Sequence, residues 1–476
     1  MATLSARALV AMLRGWRESG SAPAYSVLAD RIRLLVLDGR IPLGTRIAAE
    51  RDLAAHLGIS RTTVSAAYGE LRDAGYLASI RGSGSVARLP ERAPVSIDAG
   101  RSGYLDFSKA AMPAYAGLAD AAMQAASEYP AYLGDTGFDP IGLPVLRAAI
   151  ADRYTARGLP TDPDQLMVTI GAQHAIALLC RTLLARGDSA MVESPSYPNA
   201  YEAIRMSGAR LVPVTVTTED GWDEAGFEQA IQRSSPAIGY LMPDFHNPTG
   251  LSMPVDMRER ILELAARHRT VLIADETMAE LSIDRPGTRP PFAAHTDNGS
   301  VAVLIGSVGK TVWGGVRVGW IRAERSLIQK LARARMAGDL GTPVLEQLIV
   351  KNLLAEYDTI LELRREQLRA GRDHLEALLA DTFPDWAVPH VDGGLTTWVN
   401  LGHPVSSQLT LAVRNEGLLL AAGPRFGIDG AFERFLRIPF SHSADETERA
   451  VSALSRAWHG LSRLSLEDRG FLAEVV

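Results

Sequence analysis

Residues 306–320 read "GSVGKTVWGGVRVGW", and Lys310 within them is one of four lysines in a chain with 49 basic residues. Arginine stays protonated in a protein, whereas a desolvated lysine can release its proton and attack a carbonyl as a nucleophile. The apolar run "VAVLIG" (301–306) just ahead has the length of a buried strand, and the glycines behind it let backbone approach a ligand closely. A strand that ends at a reactive lysine suits an α/β sheet, where ligands gather at the carboxyl ends of strands.

Further out, the runs "LMVTIG" (166–171), "SAMVESP" (189–195), "ARLVPVTV" (209–216), "IGYLMPD" (238–244) and "TVLIADE" (270–276) alternate with helical patterns. Short apolar runs between helices predict parallel strands buried on both faces, hence an α/β core. Polar residues cluster where these runs end. "TIGAQHAI" places Ala172 and Gln173 at a strand-to-helix turn, where free amides attract an anion. Ser307 and Arg317 flank Lys310 and suit the same anion. "TVLIADE" places Asp275 at a strand end, where such an acid taken alone is more often a capping or structural residue. "DFHNPTG" (244–250) offers Asn247 in a turn set by Pro248 and Gly250, and "VESPSYPN" (192–199) offers Tyr197 as a flat platform. Pyridoxal 5'-phosphate needs this assortment: an amine for its aldehyde, amides, hydroxyls and an arginine for its phosphate, a carboxylate for its ring nitrogen, and a stacking partner.

This ordered set resembles the fold-type I pyridoxal phosphate enzymes, the aspartate aminotransferase superfamily, over residues 105–476. The resemblance implies a large α/β domain with a mainly parallel sheet and a smaller α+β C-terminal domain. It gives Lys310 the Schiff base with the cofactor, Asp275 the pyridinium nitrogen, Asn247 the phenolic oxygen and Tyr197 the ring face. Ala172, Gln173, Ser307 and Arg317 hold the phosphate. Tyr132, in "YLGDTGFDPIGLPVLR", matches a tyrosine that reaches the neighbouring subunit's phosphate. Arg437, in "RFLRIPFSH", matches an arginine that grips a substrate α-carboxylate, a task its planar fork suits. One departure stands out. In much of the superfamily a tyrosine follows the ring aspartate and bonds the phenolic oxygen, whereas "DETMAEL" (275–281) offers Thr277 and Met278. Threonine is too short for that reach, which weighs against efficient transamination more than against cofactor binding.

The N-terminal 90 residues have another character, with twelve arginines, no lysine and seven acids, a net +5 on a chain of net charge −6. A basic head on an acidic body points to a polyanion met by the head alone. In "YSVLADRIRLLVLDGRI" (25–41), Leu28, Ile32, Leu35 and Val36 share a helical face, with Arg31 and Arg33 off it. "AAERDLAAHLGISRTTVSAAYGELRDAGYL" (48–77) predicts two short helices broken at Gly58, with Ser60 capping the second and Val64, Ala67 and Leu71 turned inward. Ser60, Arg61, Thr62, Thr63 and Ser65 then stand at the start of a helix, placed for phosphates or base edges. "YLASIRGSGSVARL" (76–89) predicts a two-stranded wing with Arg81 and Gly82 at its tip. Its "GSG" is half of a dinucleotide fingerprint but follows a helix and opens none, which weighs against a dinucleotide loop.

Residues 25–88 resemble the GntR family of winged-helix regulators, which implies that Arg51, Ser60, Arg61, Thr62 and Arg81 touch double-stranded operator DNA. Head and body in this order resemble the MocR subfamily, and "DFHNPTG", "DETMAEL" and "WGGVRVGW" look like its YczR-like members. The expected division is an N-terminal helical extension (1–23, with Leu9, Leu13 and Trp16 on one face), a winged helix-turn-helix (24–88), a linker (89–105) and the body (106–476). The resemblance implies a homodimer with exchanged heads and a transcription factor that senses pyridoxal phosphate or a small amine; the alternative is an active aminotransferase or lyase with a fused head. Cys180, in "AIALLCRTLLA", reads as an inert buried thiol. No signal-like leader or bilayer-length apolar run is evident, no metal set stands out, and a cytoplasmic protein is expected. The sequon at Asn298 carries no meaning there.

Overall fold

The computed structural model describes residues 3–13, 16, 23–37, 40–80, 84–88, 103–285, 289–297, 301–428 and 430–461. They form two compact units, one of Met1–Ala110, His374–Pro389 and Trp398–Val476, the other of Ala111–Asp373 and His390–Thr397. Among the described residues no helix is long and apolar enough to cross a membrane.

The first unit opens with helices α1 (Ala6–Met12), α2 (Ala24–Leu37), α3 (Glu50–Leu57) and α4 (Arg61–Asp73). Leu9, Leu13 and Trp16 join Leu28, Ile32, Leu35, Val64, Ala67 and Leu71 in one buried cluster, so the N-terminal extension packs on the head. α3 ends at Gly58, whose φ of 65° lies in the left-handed region that favours glycine. Ser60 Oγ accepts from Thr63 N at 3.1 Å and caps α4, a bond worth about 1 kcal/mol. Strands β1 (Leu77–Ile80) and β2 (Gly84–Ala87) pair antiparallel as a ribbon. Arg81 and Gly82, the expected wing tip, lie outside the described residues, as do the linker residues 89–102.

α2 corrects one expectation. Arg31 and Arg33, set apart from the apolar face in the sequence, are both buried. Arg33 bonds Asp30 at 2.9 Å and Glu70 at 3.3 Å, and Arg31 pairs with Glu433, a residue 402 positions later. Part of the basic excess of the head is therefore spent on internal pairs rather than on its surface. Glu433 also accepts from Ser407 N at 3.0 Å and Ser407 Oγ at 2.7 Å, at the start of helix Ser406–Asn415. Leu411 of that helix belongs to the buried cluster of the head, giving the charged contact an apolar floor. Strand β3 (Leu105–Asp106) pairs parallel with Leu418–Leu419, and Ala421–Ala422 pairs antiparallel with Phe435–Pro439, which carries Arg437.

The second unit is built on an eight-stranded sheet, β4 (Leu166–Thr169), β5 (Ser189–Ser194), β6 (Arg210–Thr217), β7 (Gly221–Trp222), β8 (Ile238–Leu241), β9 (Val271–Asp275), β10 (Ala302–Ser307) and β11 (Gly319–Arg322), in the order 4-11-10-9-8-5-6-7. β10, β9, β8, β5 and β6 run parallel. β11 runs antiparallel between β10 and β4. It begins at the end of the glycine-rich stretch quoted at the outset, runs two residues beyond it and has no long apolar run of its own; "GWIR" becomes a strand because Trp320 and Ile321 are buried between two neighbours. The residues of β6 are not buried throughout as the sequence suggested: Val214 and Val216 are buried while Arg210, Pro213 and Thr215 are exposed, since only two-residue β7 lies beyond it. Cys180 is buried in helix Gly171–Leu183, and burial pushes its thiol pKa up to about 12, which makes it inert at neutral pH.

Candidate functional site

Register across three adjacent strands assembles the glycine-rich end of the sheet. Gly319 of β11 pairs with Thr169 of β4 on one side and Ser307 of β10 on the other. Helix Gly171–Leu183 starts two residues after β4, and no side chain caps its first turn, so the amides of Ala172 and Gln173 begin it open. A Cβ on Gly319 would lie 2.8 Å from Gly171 C, 2.9 Å from Gly306 O and 3.0 Å from Ala172 N, so only glycine lets these backbones meet. A Cβ on Gly171 would stand 3.1 Å from Arg317 Nη2, which donates to Ile170 O at 3.1 Å. Ser307 Oγ accepts from Gly309 N at 3.0 Å and donates to Val318 O at 3.1 Å. Amides, a hydroxyl and a guanidinium thus line one glycine-walled cradle, the chemistry that holds a phosphate.

Lys310 follows β10 by three residues, in a turn whose carbonyls are clamped: buried Arg364 donates to Thr311 O at 2.7 Å and Val312 O at 3.0 Å. Asp275 closes β9 opposite Ile305 of β10 and is 2% exposed. Its Oδ1 accepts from Thr277 N at 3.0 Å and its Oδ2 from Tyr240 Oη at 2.6 Å. Burial raises the Asp275 carboxyl above the usual range, while these donors and the charge of Lys310 oppose that rise. Next to it, burial pushes Glu276 up to about 7, with Phe292 N donating to its Oε1 at 2.7 Å.

Asn247 is buried in the turn after β8. Beside it, His246 Nε2 lies 3.3 Å from Oε2 of Glu193, both side chains fully buried. Glu193 takes Trp222 Nε1 at 2.6 Å and Met242 N at 2.8 Å. Tyr197 precedes helix Pro198–Met206, half-buried, with its hydroxyl accepting from Asn199 Nδ2 at 2.9 Å. Tyr132 ends the short 3-10 turn Tyr129–Tyr132 and packs against the main apolar cluster of this unit. Arg437 belongs to the first unit, fully buried, with its guanidinium carbon 4.9 Å from the centre of the Phe426 ring and a bond from Nη2 to Ser108 O. In the head, Arg51, Ser60, Arg61 and Thr62 are exposed and Thr63 and Ser65 half-buried, all near the start of α3 or α4.

Tyr240 and Glu193 escaped sequence analysis. The signal for Tyr240 was a tyrosine in an otherwise apolar run read as a fully buried strand, since its hydroxyl must find a partner there.

Residues 113–454 match the family model for aminotransferase class I and II, and residues 24–86 match that for bacterial regulatory proteins, gntR family. A Rhizobium meliloti protein named probable rhizopine catabolism regulatory protein MocR is 28% identical over 407 residues, covering 78% of this chain and 80% of its own. The HTH-type pyridoxine biosynthesis transcriptional regulator PdxR of Corynebacterium glutamicum is 31% identical over 384 residues, covering 77% and 81%. The chain belongs to the MocR subfamily of GntR-type regulators. The aminotransferase-like part of this MocR chain is similar to the crystal structure of LysN, an alpha-aminoadipate aminotransferase from Thermus thermophilus, with a TM-score of 0.69 and 27% identity over 77% of this chain and 95% of that one. A GntR-type head implies DNA binding by this MocR protein, and an aminotransferase fold implies dependence on pyridoxal phosphate.

Proposed function

We propose that this regulator binds pyridoxal 5'-phosphate at the Lys310–Asp275 site and senses that cofactor, or an amino compound, by changing the hold of its head on operator DNA. The cofactor supplies an aldehyde that condenses with amines and a ring that accepts electrons. The residues fit it. Lys310 holds the aldehyde covalently; the open amides of Ala172 and Gln173, with Ser307 and Arg317, hold the phosphate; Asp275 pairs with a protonated ring nitrogen. Asn247 donates to the ring oxygen and Tyr197 stacks. Arg437 takes an α-carboxylate, and Tyr132 serves the phosphate of a partner subunit. The exposed side chains Leu133 and Phe138, 64% and 69% accessible close to Tyr132, are the kind of apolar surface that a second copy covers. Arg51, Ser60, Arg61, Thr62, Thr63 and Ser65 face DNA, with Arg81 and Gly82 as the wing tip.

One observation favours sensing over turnover. Thr277 spends its backbone N–H on Asp275, and its side chain is too short to reach a phenolic oxygen where a tyrosine usually does. Incubated with cofactor and a panel of amino acids, the protein is expected to form keto acids more slowly than about 0.01 s⁻¹, far under ordinary enzyme rates. Turnover at about 1 s⁻¹ or faster with any of them makes it an enzyme with a fused head.

A further inference from the structure

All four residues of β8 are buried, and its one polar side chain, Tyr240, is directed at a single partner. The Tyr240 hydroxyl donates to Asp275 Oδ2 at 2.6 Å, with the residues 1% and 2% exposed. β8 and β9 are parallel neighbours, with Tyr240 opposite Ile273, which brings the tyrosine alongside the end of β9. Burial keeps the phenolic proton on Tyr240, so the tyrosine is the donor and the carboxylate the acceptor. Thr277 N occupies the other carboxylate oxygen. The Thr277 side chain also bonds this carboxylate, so of its roughly four lone-pair sites one remains for another donor. A buried carboxylate without such donors would neutralise rather than stay charged.

We infer that Tyr240 is a positioning residue for the cofactor: it holds Asp275 ionised and in one orientation, so that a free lone pair meets a protonated ring nitrogen. The inference rests on the reading of the Lys310–Asp275 site given above. The role assigned to Tyr240 passes through one carboxylate, the Asp275 oxygen to which its hydroxyl donates. The bland competing role, filling space under the sheet, is retained by phenylalanine, which keeps the ring and loses only the hydroxyl.

The test uses the full-length protein titrated with pyridoxal phosphate, followed by the visible absorbance of the lysine-bound cofactor and by that band's dependence on pH. Circular dichroism checks that each variant is folded. Tyr240→Phe is expected to weaken cofactor binding about tenfold or more, the size of a lost hydrogen bond to a charged group, and to shift the pH titration of the band by about one unit. Asp275→Asn weakens binding further, and adding Tyr240→Phe to it brings no additional loss, because the tyrosine acts through that carboxylate. A Tyr240→Phe protein with wild-type affinity and an unchanged titration overturns the inference, as do losses that simply add in the double variant. A wild-type protein that takes up no cofactor overturns the site reading itself, and this inference with it.

Discussion

Lys310→Ala is expected to abolish the visible absorbance of the protein-bound cofactor and to weaken binding of pyridoxal phosphate by about a thousandfold or more, some 4 kcal/mol. Lys310 sits in a turn fixed by Arg364 at Thr311 O and Val312 O, so its removal deletes an amine without loosening the backbone. The phosphate cradle keeps bonds of its own in the variant: Ser307 Oγ accepts from Gly309 N, and Arg317 Nη2 donates to Ile170 O. What is lost is the covalent link. Lys310→Arg separates charge from nucleophilicity: it keeps a cation near Asp275 but has no amine that can deprotonate. Absorbance and fluorescence titrations of both variants are expected to show the same missing band, with at most weak phosphate-driven binding. A wild-type band in either variant would move the reactive amine elsewhere.

Arg258→Leu has the largest expected effect on stability. The side chain is fully buried on helix Val255–His268. Its Nε donates to Met253 O at 3.0 Å, Nη1 to Asp244 Oδ2 at 3.1 Å, and Nη2 to Asp244 Oδ1 and Pro243 O at 2.9 Å. Arg285 Nη1 adds a bond to Asp244 at 2.6 Å. These arginines anchor the start of the turn that carries Asn247. Losing Arg258 leaves a buried carboxylate half-compensated, a cost of about 3–5 kcal/mol, which thermal denaturation should report as a fall in Tm of about 10 °C. The exposed pair Arg267–Glu263, at 3.0 Å, provides the contrast: Arg267→Ala is expected to cost less than about 0.5 kcal/mol. The pH dependence has a definite sign. Burial alone would raise the Asp244 carboxyl, but Arg258 and Arg285 outweigh it and hold it below its ordinary value. A carboxyl depressed on folding contributes stability that is complete above its unfolded pKa, about 3.9, and fades as pH falls through the folded value. The gap between wild type and Arg258→Leu is therefore expected to close in acid.

Sequence reading reached furthest where one local segment holds all the partners. Ser307, Lys310 and Arg317 lie within eleven consecutive residues, and Ser60 caps α4 through a bond to Thr63, three residues on. Asp275 was legible as an acid at a strand end. Tyr240 was not legible as its partner, because that needs β8 beside β9, and strand order is a tertiary fact. The same holds for Arg31, whose acid comes 402 residues later. β11 was hidden because a strand sheltered between two neighbours needs no apolar run, and its role in bringing Gly319 against Gly171 only emerges from the register. The role of Arg437 rests on resemblance, since nothing in its local sequence announces a carboxylate.

In the proposed mechanism, occupancy of the Lys310 site changes operator binding. By linkage, a ligand shifts DNA affinity only if it binds two arrangements of the protein unequally, and DNA must then shift the ligand's affinity by the same factor. The direct measurement is a titration of labelled DNA from the region upstream of this protein's own gene and its neighbour, at one fixed salt concentration, with and without pyridoxal phosphate. The expected result is a change in operator affinity of about fivefold or more on adding cofactor, absent in Lys310→Ala, with Arg61→Ala binding weakly in both conditions. Superimposed wild-type curves, recorded while the visible band shows the cofactor bound, would contradict the account.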